Sequence, residues 1–257
     1  MDFSLSEERK ILCETARRVG EKYGLDYWRT QDADKAFPSD FWKEVCEVGI
    51  GGITLPEEFG GSGLGMVDMA LAIEQLAKGG GGSTIGQLFM LNPIFGGVAI
   101  NQYGPEPMRA ELLPPLISGD LVCCMGLTEP DAGTNSIEVR TFATEDGDGW
   151  RLNGKKHWIT GTASSQKILV VARTTKAEEV KRKTDGITLF LIDVDRSGLT
   201  HTPVEKLGTN TLDSSLIFFD DVHIEPTELI AEVDKGWKPL LDVLNTERNN
   251  FHPKQRV

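Results

Sequence analysis

The spacing of apolar residues in this chain changes once, near Asp120, and this change limits the folds that the chain can adopt. Upstream, apolar residues recur every three or four positions, most clearly from Met66 to Ala77, which is the spacing of an amphipathic helix. A further helix is predicted from Pro93 to Tyr103. Downstream, β-branched and aromatic runs of strand length alternate with turn residues, at 121–127, 150–160, 167–174, 186–194 and 214–224. The sequence therefore predicts an all-helical domain followed by a β-barrel or sheet domain.

The helical pattern returns near the end of the chain. Leu240, Val243 and Leu244 fall on one side of a helix predicted over 236–248. We therefore predict an α+β fold in which the first helix of a further helical domain follows the β domain. The predicted domains are an N-terminal helical domain at 1–120, a middle β domain at 121–230 and the start of a C-terminal helical domain at 231–257.

The charge balance excludes some classes of partner. The formal net charge is −12 over 257 residues, whereas nucleic acid and anionic membrane surfaces attract Lys and Arg. No apolar run approaches the ~20 residues of a membrane-spanning helix, and the first residues match neither a secretory signal nor a transit peptide. The four cysteines lack the spacing of metal ligands. We predict a cytoplasmic protein with no metal, no nucleic-acid partner and no membrane span.

Two short segments of the predicted β domain carry more constraints than a turn or strand needs. The first, "LTEPDAGTN" at 127–135, combines two acids, a proline, a glycine and two threonines. Proline fixes a turn and glycine allows another group to approach the backbone closely. The second is "HWIT" at 157–160. Taken alone, the first segment could be an ordinary β-turn and the second an ordinary strand with a buried tryptophan. Their joint presence in one domain favours a ligand site.

Five segments of the chain resemble, in the same order, motifs of the acyl-CoA dehydrogenase family. They are "FSLSEERKILCETARR" (3–18), "LPEEFGGSGLG" (55–65), "LTEPDAGTN" (127–135), "LNGKKHWITG" (152–161) and "KLGTNTLDSSLIFFDDVHI" (206–224). The resemblance extends over nearly the whole chain. It implies a helical domain, a central β-barrel domain and a C-terminal four-helix bundle, of which the first two agree with the periodicity.

The resemblance implies an FAD-dependent oxidoreductase that introduces a double bond between Cα and Cβ of an acyl-CoA thioester. A carboxylate removes the α-proton, and the β-hydrogen leaves as a hydride to the flavin. The residues that would line the flavin ring and ribityl chain are Met125, Leu127, Thr128, Gly133 and Thr134. Those that would cover the other side of the ring are Trp158, at its edge, Ile159, and Thr160, whose hydroxyl would lie near flavin N5.

The resemblance also implies a catalytic base on the last helix. A minority of family members carry the base directly before an arginine on the first helix of the C-terminal bundle, and here Glu247 directly precedes Arg248. Arg248 would then contact the CoA portion of the substrate or hold the base in place, and Thr134 and Asn245 would also contact substrate. Without the resemblance, Glu247 and Arg248 are equally well explained as a solvated ion pair on a helix surface.

The chain departs from the family pattern in sequence and in extent. Asn135, Asn210 and Leu212 stand where an acid, an arginine and a serine are usual. The family continues well beyond Arg248, into the rest of the four-helix bundle and the residues that hold the FAD diphosphate. We therefore expect this chain to contain the N-terminal and middle domains and only the first bundle helix.

The resemblance implies an acyl-CoA substrate, an electron-transferring flavoprotein as electron acceptor, and a homo-oligomer in the full-length form. The acyl pocket would lie partly along 89–97, where Met90, Leu91 and Phe95 could also be ordinary core residues. Two other functions remain open: an inactive remnant that serves as a binding or interaction module, and the same fold with another chemistry, as in flavin monooxygenases and nitroalkane oxidases. The "EEFGG" segment and Glu247 favour the dehydrogenase.

Overall fold

The computed structural model describes residues 4–248, except for the side chain of Arg248. Helices occupy the first half and the end of the described chain. They are Glu7–Lys22 (α1), Leu25–Asp34 (α2), Ser39–Glu47 (α3), Met66–Leu76 (α4), Ser83–Phe89 (α5), Ala99–Tyr103 (α6), Glu106–Ser118 (α7) and Trp237–Arg248 (α8). Between them lies the predicted sheet, so the predicted order of a helical region, a sheet and one further helix is confirmed.

The helical segment from Ser83 to Tyr103 is longer than predicted. The sequence places a helix start at Pro93, but Pro93 lies inside a π-helical segment, Met90–Val98, that joins α5 to α6. Proline has no N–H to donate and its ring collides with the carbonyl four residues earlier, and the wider π turn accommodates both defects. The sequence pattern misses this because it assumes a regular α-helical turn.

The same segment corrects the prediction about apolar runs. Ser83–Tyr103 has 21 residues, and an 18-residue window within it has a mean hydropathy of 1.3, so its length and composition would suffice for a membrane span. However, 78% of this apolar window is buried inside the protein. Its apolar character is therefore accounted for by packing within the fold, and length and composition alone are weak evidence for a span.

A close contact between two backbones sets the position of α1. After α4 the chain makes a π-helical turn, Ala77–Gly81, which packs on α1 at Gly20. A Cβ atom added to Gly79 would lie 2.0 Å from the carbonyl oxygen of Gly20. Only glycine at position 79 therefore allows the two segments to approach so closely.

Substitution of Gly79 by alanine is expected to lower the free energy of unfolding by about 3 kcal/mol or more, because backbone must move to relieve the overlap. Gly86 in α5 is a matched control, since no described atom lies within 4 Å of its added Cβ. Gly86→Ala should stabilise the protein by up to about 1 kcal/mol, because alanine favours helix. Urea denaturation of both variants measures the difference, and equal effects would contradict the close contact.

One eight-stranded sheet forms the middle of the described chain. Its strands are Cys123–Gly126 (β1), Phe142–Asp146 (β2), Gly149–Thr160 (β3), Lys167–Arg173 (β4), Ile187–Asp193 (β5), Leu199–Pro203 (β6), Ser214–Ile224 (β7) and Leu229–Ile230 (β8). The order is β6-β7-β3-β2-β4-β5-β8, and β1 pairs in parallel with β4. The sequence predicts β1, β3, β4, β5 and β7. It misses β2 and β6, in each of which only one residue is buried, and β8, which has only two residues.

Asn92 joins the helical region to the first strand. Its side chain is buried, its Nδ2 donates to the Leu121 carbonyl (3.0 Å), and its Oδ1 accepts from the Cys123 amide (3.1 Å). Satisfying both ends of a buried amide fixes the two segments together. The start of β1 is therefore held against the π-helical segment Met90–Val98.

Helix α8 packs on the π-helical segment, on α6 and on β5. Leu240, Val243 and Leu244 are all buried, which confirms the predicted apolar face. At the helix surface, Tyr103 Oη donates to the Asp242 carboxylate, and Lys238 Nζ donates to Tyr103 Oη (3.0 Å). These contacts fix α8, and therefore Glu247 in its last turn, against the helical region.

Candidate active site

The segment after β1 forms a tight turn, hereafter the 127–132 turn. The amide of Glu129 donates to the carbonyl of Ala132, and the amide of Ala132 donates to the carbonyl of Glu129, both at 3.1 Å. Within it, Pro130 is the second residue of the four-residue β-turn 129–132, where its fixed φ is favourable. The 127–132 turn therefore has the constrained backbone that the sequence indicated, and Leu127 and Thr128 are its first two residues.

Strand β3 contains a β-bulge where it approaches this turn. Lys156 lies opposite Ile217 and Ile159 lies opposite Ser215, so β3 has one residue more than β7 in this interval. Within the bulge Trp158 has a φ of +62°, a left-handed conformation that is strained for a residue with a side chain. Bulges of this kind re-aim side chains and are frequent at active sites.

The bulge turns the Trp158 side chain outward. Trp158 is 53% exposed, and its ring stacks on His157 with a centroid distance of 4.8 Å and an interplanar angle of 16°. The simpler interpretation of "HWIT", a regular strand with a buried tryptophan, is therefore wrong. A strained backbone that exposes a large aromatic ring is evidence for a functional role.

Hydrogen bonds from β3 hold the 127–132 turn in place. The amide of His157 donates to the carbonyl of Thr128 (2.9 Å). Lys156 Nζ donates to the carbonyl of Leu127 (3.0 Å) and to Oε1 of Glu129 (2.8 Å). Lys156 is 0% exposed and Glu129 is 6% exposed. Sequence reasoning missed this pair, although an acid in "LTEPDAGTN" and a lysine in "LNGKKHWITG" were the available signal.

Both members of the pair are charged at neutral pH. Complete burial lowers the pKa of Lys156 to about 8, against the opposing attraction of Glu129. Burial acts to raise the pKa of Glu129, but the Lys156 charge and the hydrogen bonds from Lys156 and Thr141 hold that pKa below its usual value. Glu129 also accepts from the amides of Arg140 (2.7 Å) and Thr141 (3.0 Å). The buried carboxylate is thus satisfied from three directions.

A cavity of about 230 Å³ opens where the turn, the bulge and α8 meet. Its lining residues are Met90, Phe95, Met125, Leu127, Thr128, Trp158, Ile159, Thr160, Leu244 and Glu247. The structure therefore brings together residues from four separate parts of the sequence. Among them are six of the predicted flavin residues and the predicted base. Met90 and Phe95, but not the buried Leu91, come from the predicted acyl region.

Three predicted site residues lie outside the cavity lining. Gly133, Thr134 and Asn245 are exposed, so their roles as flavin or substrate contacts stay predictions. The side chain of Arg248 and the part of the predicted C-terminal domain beyond it lie outside the described residues. No described atom lies within 4 Å of a Cβ added to Gly133. The described part of the chain therefore gives no packing reason for glycine there.

The cavity has the composition of a site for a flat, largely apolar group. Aliphatic, thioether and aromatic side chains form most of it, while Thr128 and Thr160 supply hydroxyls and Glu247 supplies one carboxylate. Its volume of about 230 Å³ is below the ~300–1,000 Å³ typical of a complete small-molecule site. It can therefore hold a ring system or the reactive end of a ligand, with the remainder outside. Among residues 4–248, no group of three or more His, Cys, Asp or Glu could hold a metal ion.

Comparison with known proteins decides the family. The sequence models of the acyl-CoA dehydrogenase N-terminal domain and middle domain match residues 6–120 and 124–222. The chain belongs to the acyl-CoA dehydrogenase family. It is 32% identical over 246 residues to acyl-CoA dehydrogenase FadE12 of Mycobacterium tuberculosis (strain H37Rv), and the match covers 96% of this chain and 62% of that relative.

Solved acyl-CoA dehydrogenase structures have the same fold. Glutaryl-coenzyme A dehydrogenase in its glutaryl-CoA complex superimposes with a TM-score of 0.90 at 28% identity, over 97% of this chain and 63% of that one. A glutaryl-CoA dehydrogenase from Mycobacterium smegmatis in complex with FADH2 gives a TM-score of 0.85 at 29% identity, over 96% and 61%. This chain therefore spans less than two thirds of the length of these relatives.

Proposed function

We propose that this chain carries the flavin-binding and base-bearing part of an FAD-dependent acyl-CoA dehydrogenase, which forms a double bond between Cα and Cβ of an acyl-CoA. The observation that supports this most strongly is the single cavity that joins the 127–132 turn, the Trp158 bulge and Glu247. If 127–135 were only a β-turn and Glu247 only part of a solvated ion pair, these three features would not need to lie around one cavity. The outward Trp158 ring and the uncrowded Gly133 fit a flat ligand that approaches the backbone.

In this proposal each wall of the cavity has a separate task. The Trp158 ring on one wall and the apolar side chains of Met125 and Leu127 on the other exclude water from the ligand. The hydroxyls of Thr128 and Thr160 are available as hydrogen-bond donors to its polar edge. FAD, when bound, supplies the acceptor for the β-hydrogen, which leaves as a hydride.

Glu247 is the proposed general base. Its carboxylate lines the same cavity from the last turn of α8, and its neighbour Leu244 fixes that helix by packing inward. A carboxylate at this position can take the α-proton of a thioester while the β-hydrogen leaves on the opposite wall. Met90 and Phe95 form the adjacent apolar surface, which suits the acyl chain.

The proposal also covers the substrate, the electron acceptor, the location and the oligomeric form. We propose an acyl-CoA as substrate, an electron-transferring flavoprotein as electron acceptor, a cytoplasmic location and a homo-oligomeric full-length form. The proposed domain limits remain 1–120, 121–230 and 231–257. Thr134, Asn245 and Arg248 remain candidates for contact with the substrate. Gly133 and Thr134 remain candidates for contact with FAD.

Uptake of FAD by the purified chain tests the proposal, and Trp158→Gly sharpens the test. Glycine relieves the strained φ of +62°, which offsets the lost ring contacts, so the free energy of unfolding should change by less than about 1 kcal/mol. The dissociation constant for FAD should rise at least about fivefold, because an aromatic contact worth ~1 kcal/mol or more is lost. Fluorescence titration measures this constant.

Lys35→Gly is the matched control for the Trp158 variant. Lys35 also has a left-handed backbone, with a φ of +52°, but it ends α2 and does not line the cavity. Its substitution should leave FAD affinity unchanged. An unchanged FAD affinity in Trp158→Gly would contradict the assigned site. A wild-type chain that takes up no FAD would favour the alternative of an inactive binding or interaction module.

A further inference from the structure

We propose that Glu129 and Lys156 are a positioning pair, which sets the two walls of the cavity in place before any ligand binds. Lys156 bonds to the carbonyl of Leu127, and it directly precedes the bulge that presents Trp158. A single buried ammonium therefore connects the turn on one wall to the bulge on the other. The consequence for FAD rests on the proposed function, but the fixing of the walls does not.

The stability of the fold does not by itself require a buried ion pair at this position. Complete burial of an ammonium is costly, and apolar side chains of similar volume often stabilise a fold equally well. The ammonium has three N–H donors that can point in different directions, which no apolar side chain can replace. Two of them are directed at the Leu127 carbonyl and Glu129 Oε1, so they determine where the 127–132 turn lies relative to β3.

Glu129 extends the connection to a third segment. Its two carboxylate oxygens accept from the amides of Arg140 and Thr141, at 2.7 Å and 3.0 Å. The amide of Arg173 in β4 in turn donates to the carbonyl of Thr141 (2.8 Å). The pair thus ties the turn not only to the edge of the bulge but also to the interior of the sheet.

The strained backbone of Trp158 needs support from its surroundings, and the Glu129–Lys156 pair provides part of it. A tryptophan stays in the left-handed region only when its surroundings over-determine that conformation. On one side of Trp158 the chain is held by Lys156, and on the other by the pairing of Ile159 with Ser215. Loss of the pair should therefore release the bulge as well as the turn.

Hydrogen-exchange mass spectrometry on the full chain without FAD tests the positioning role. In the double variant Lys156→Met/Glu129→Gln both charges are absent, so no unpaired buried charge remains. Exchange of the amides of Glu129, Ala132 and His157 should accelerate at least tenfold, while amides of β4 and β5 that face each other keep their wild-type rates. Unchanged exchange at the three amides would overturn the proposal.

A second ion pair provides the matched control. Arg196 binds Glu228 through two hydrogen bonds, of 2.6 Å and 2.5 Å, and neither residue lines the cavity. The double variant Arg196→Met/Glu228→Gln should leave exchange at Glu129 and Ala132 unchanged. An equal acceleration in this control would show that any lost ion pair loosens the turn, and would also overturn the proposal.

A conservative variant covers the case in which the double variant does not fold. Glu129→Asp keeps the charge but shortens the reach by one methylene, so one carboxylate cannot satisfy both Lys156 and the amide of Thr141. The amide of Ala132 should exchange faster than in wild type. Exchange of this amide at the wild-type rate would overturn the positioning role.

FAD titration of the same variants separates this proposal from the proposed function. If wild type binds FAD, the affinity of Lys156→Met/Glu129→Gln should be at least tenfold weaker, and that of Arg196→Met/Glu228→Gln should be unchanged. Wild-type FAD affinity in a variant with a loosened turn would overturn the role of the pair in ligand binding. If wild type does not bind FAD, the proposed function fails, and hydrogen exchange alone decides whether the pair fixes the walls.

Discussion

Replacing Glu247 with glutamine is expected to slow reduction of bound FAD by an acyl-CoA at least ~100-fold, which is the lower range for loss of a general base. Glutamine keeps the shape of the side chain in the cavity but cannot accept the α-proton. FAD affinity should stay within about twofold of wild type, since the residues proposed to hold the ring lie on the other walls. Anaerobic stopped-flow absorbance at the flavin band measures the rate.

Glu232→Gln is a suitable control for this variant. Glu232 is an exposed glutamate shortly before α8, it is paired with Lys235, and it does not line the cavity. Its substitution should leave the rate at the wild-type value. A Glu247→Gln chain that keeps more than about a tenth of the wild-type rate would remove Glu247 from the base role, because general-base catalysis is worth more than that.

Replacing Lys156 alone with methionine is expected to lower the free energy of unfolding by about 3–5 kcal/mol, because it leaves the Glu129 carboxylate buried without a cation. Adding Glu129→Gln should recover most of this loss, since the double variant buries no unpaired charge. Urea denaturation of the two single variants and the double variant measures the coupling. A double variant as unstable as Lys156→Met would contradict the ion pair.

The pH dependence of the Lys156→Met variant gives a second check on the same pair. In wild type the pKa of Glu129 lies below its usual value, so its stabilisation is present at neutral pH and is lost as the pH falls through that lowered pKa. Without the ammonium, burial should raise the pKa of Glu129 instead. The stability deficit of the variant should therefore shrink as the pH falls towards ~4, the usual carboxyl range.

The sequence predicts the parts of the fold in which local pattern and packing agree. The buried face of α8 follows from the spacing of Leu240, Val243 and Leu244, and β4 and β5 follow from uninterrupted apolar runs. Prediction fails where geometry departs from a regular repeat. Pro93 lies within a helix because the turn widens there, and β6 is a polar edge strand with almost no apolar signal.

The candidate site also has some features that the sequence predicts and others that it misses. Resemblance to family motifs selects most of the residues that line the cavity, because each motif is a continuous run. The Trp158 conformation and the link between Glu129 and Lys156 depend on a one-residue bulge and on a contact across 27 positions of sequence. No local pattern encodes either, since both arise only when β3 pairs with β7 and the turn folds back on it.

The central claim is that this chain holds FAD and a base in one cavity for the oxidation of an acyl-CoA. An anaerobic visible spectrum of the purified chain, supplied with FAD and then with a set of acyl-CoAs, tests it most directly. The proposal predicts a protein-bound flavin band that bleaches with at least one acyl-CoA in wild type but not in Glu247→Gln. A protein that takes up no FAD, or a bound flavin that no acyl-CoA bleaches, would contradict it.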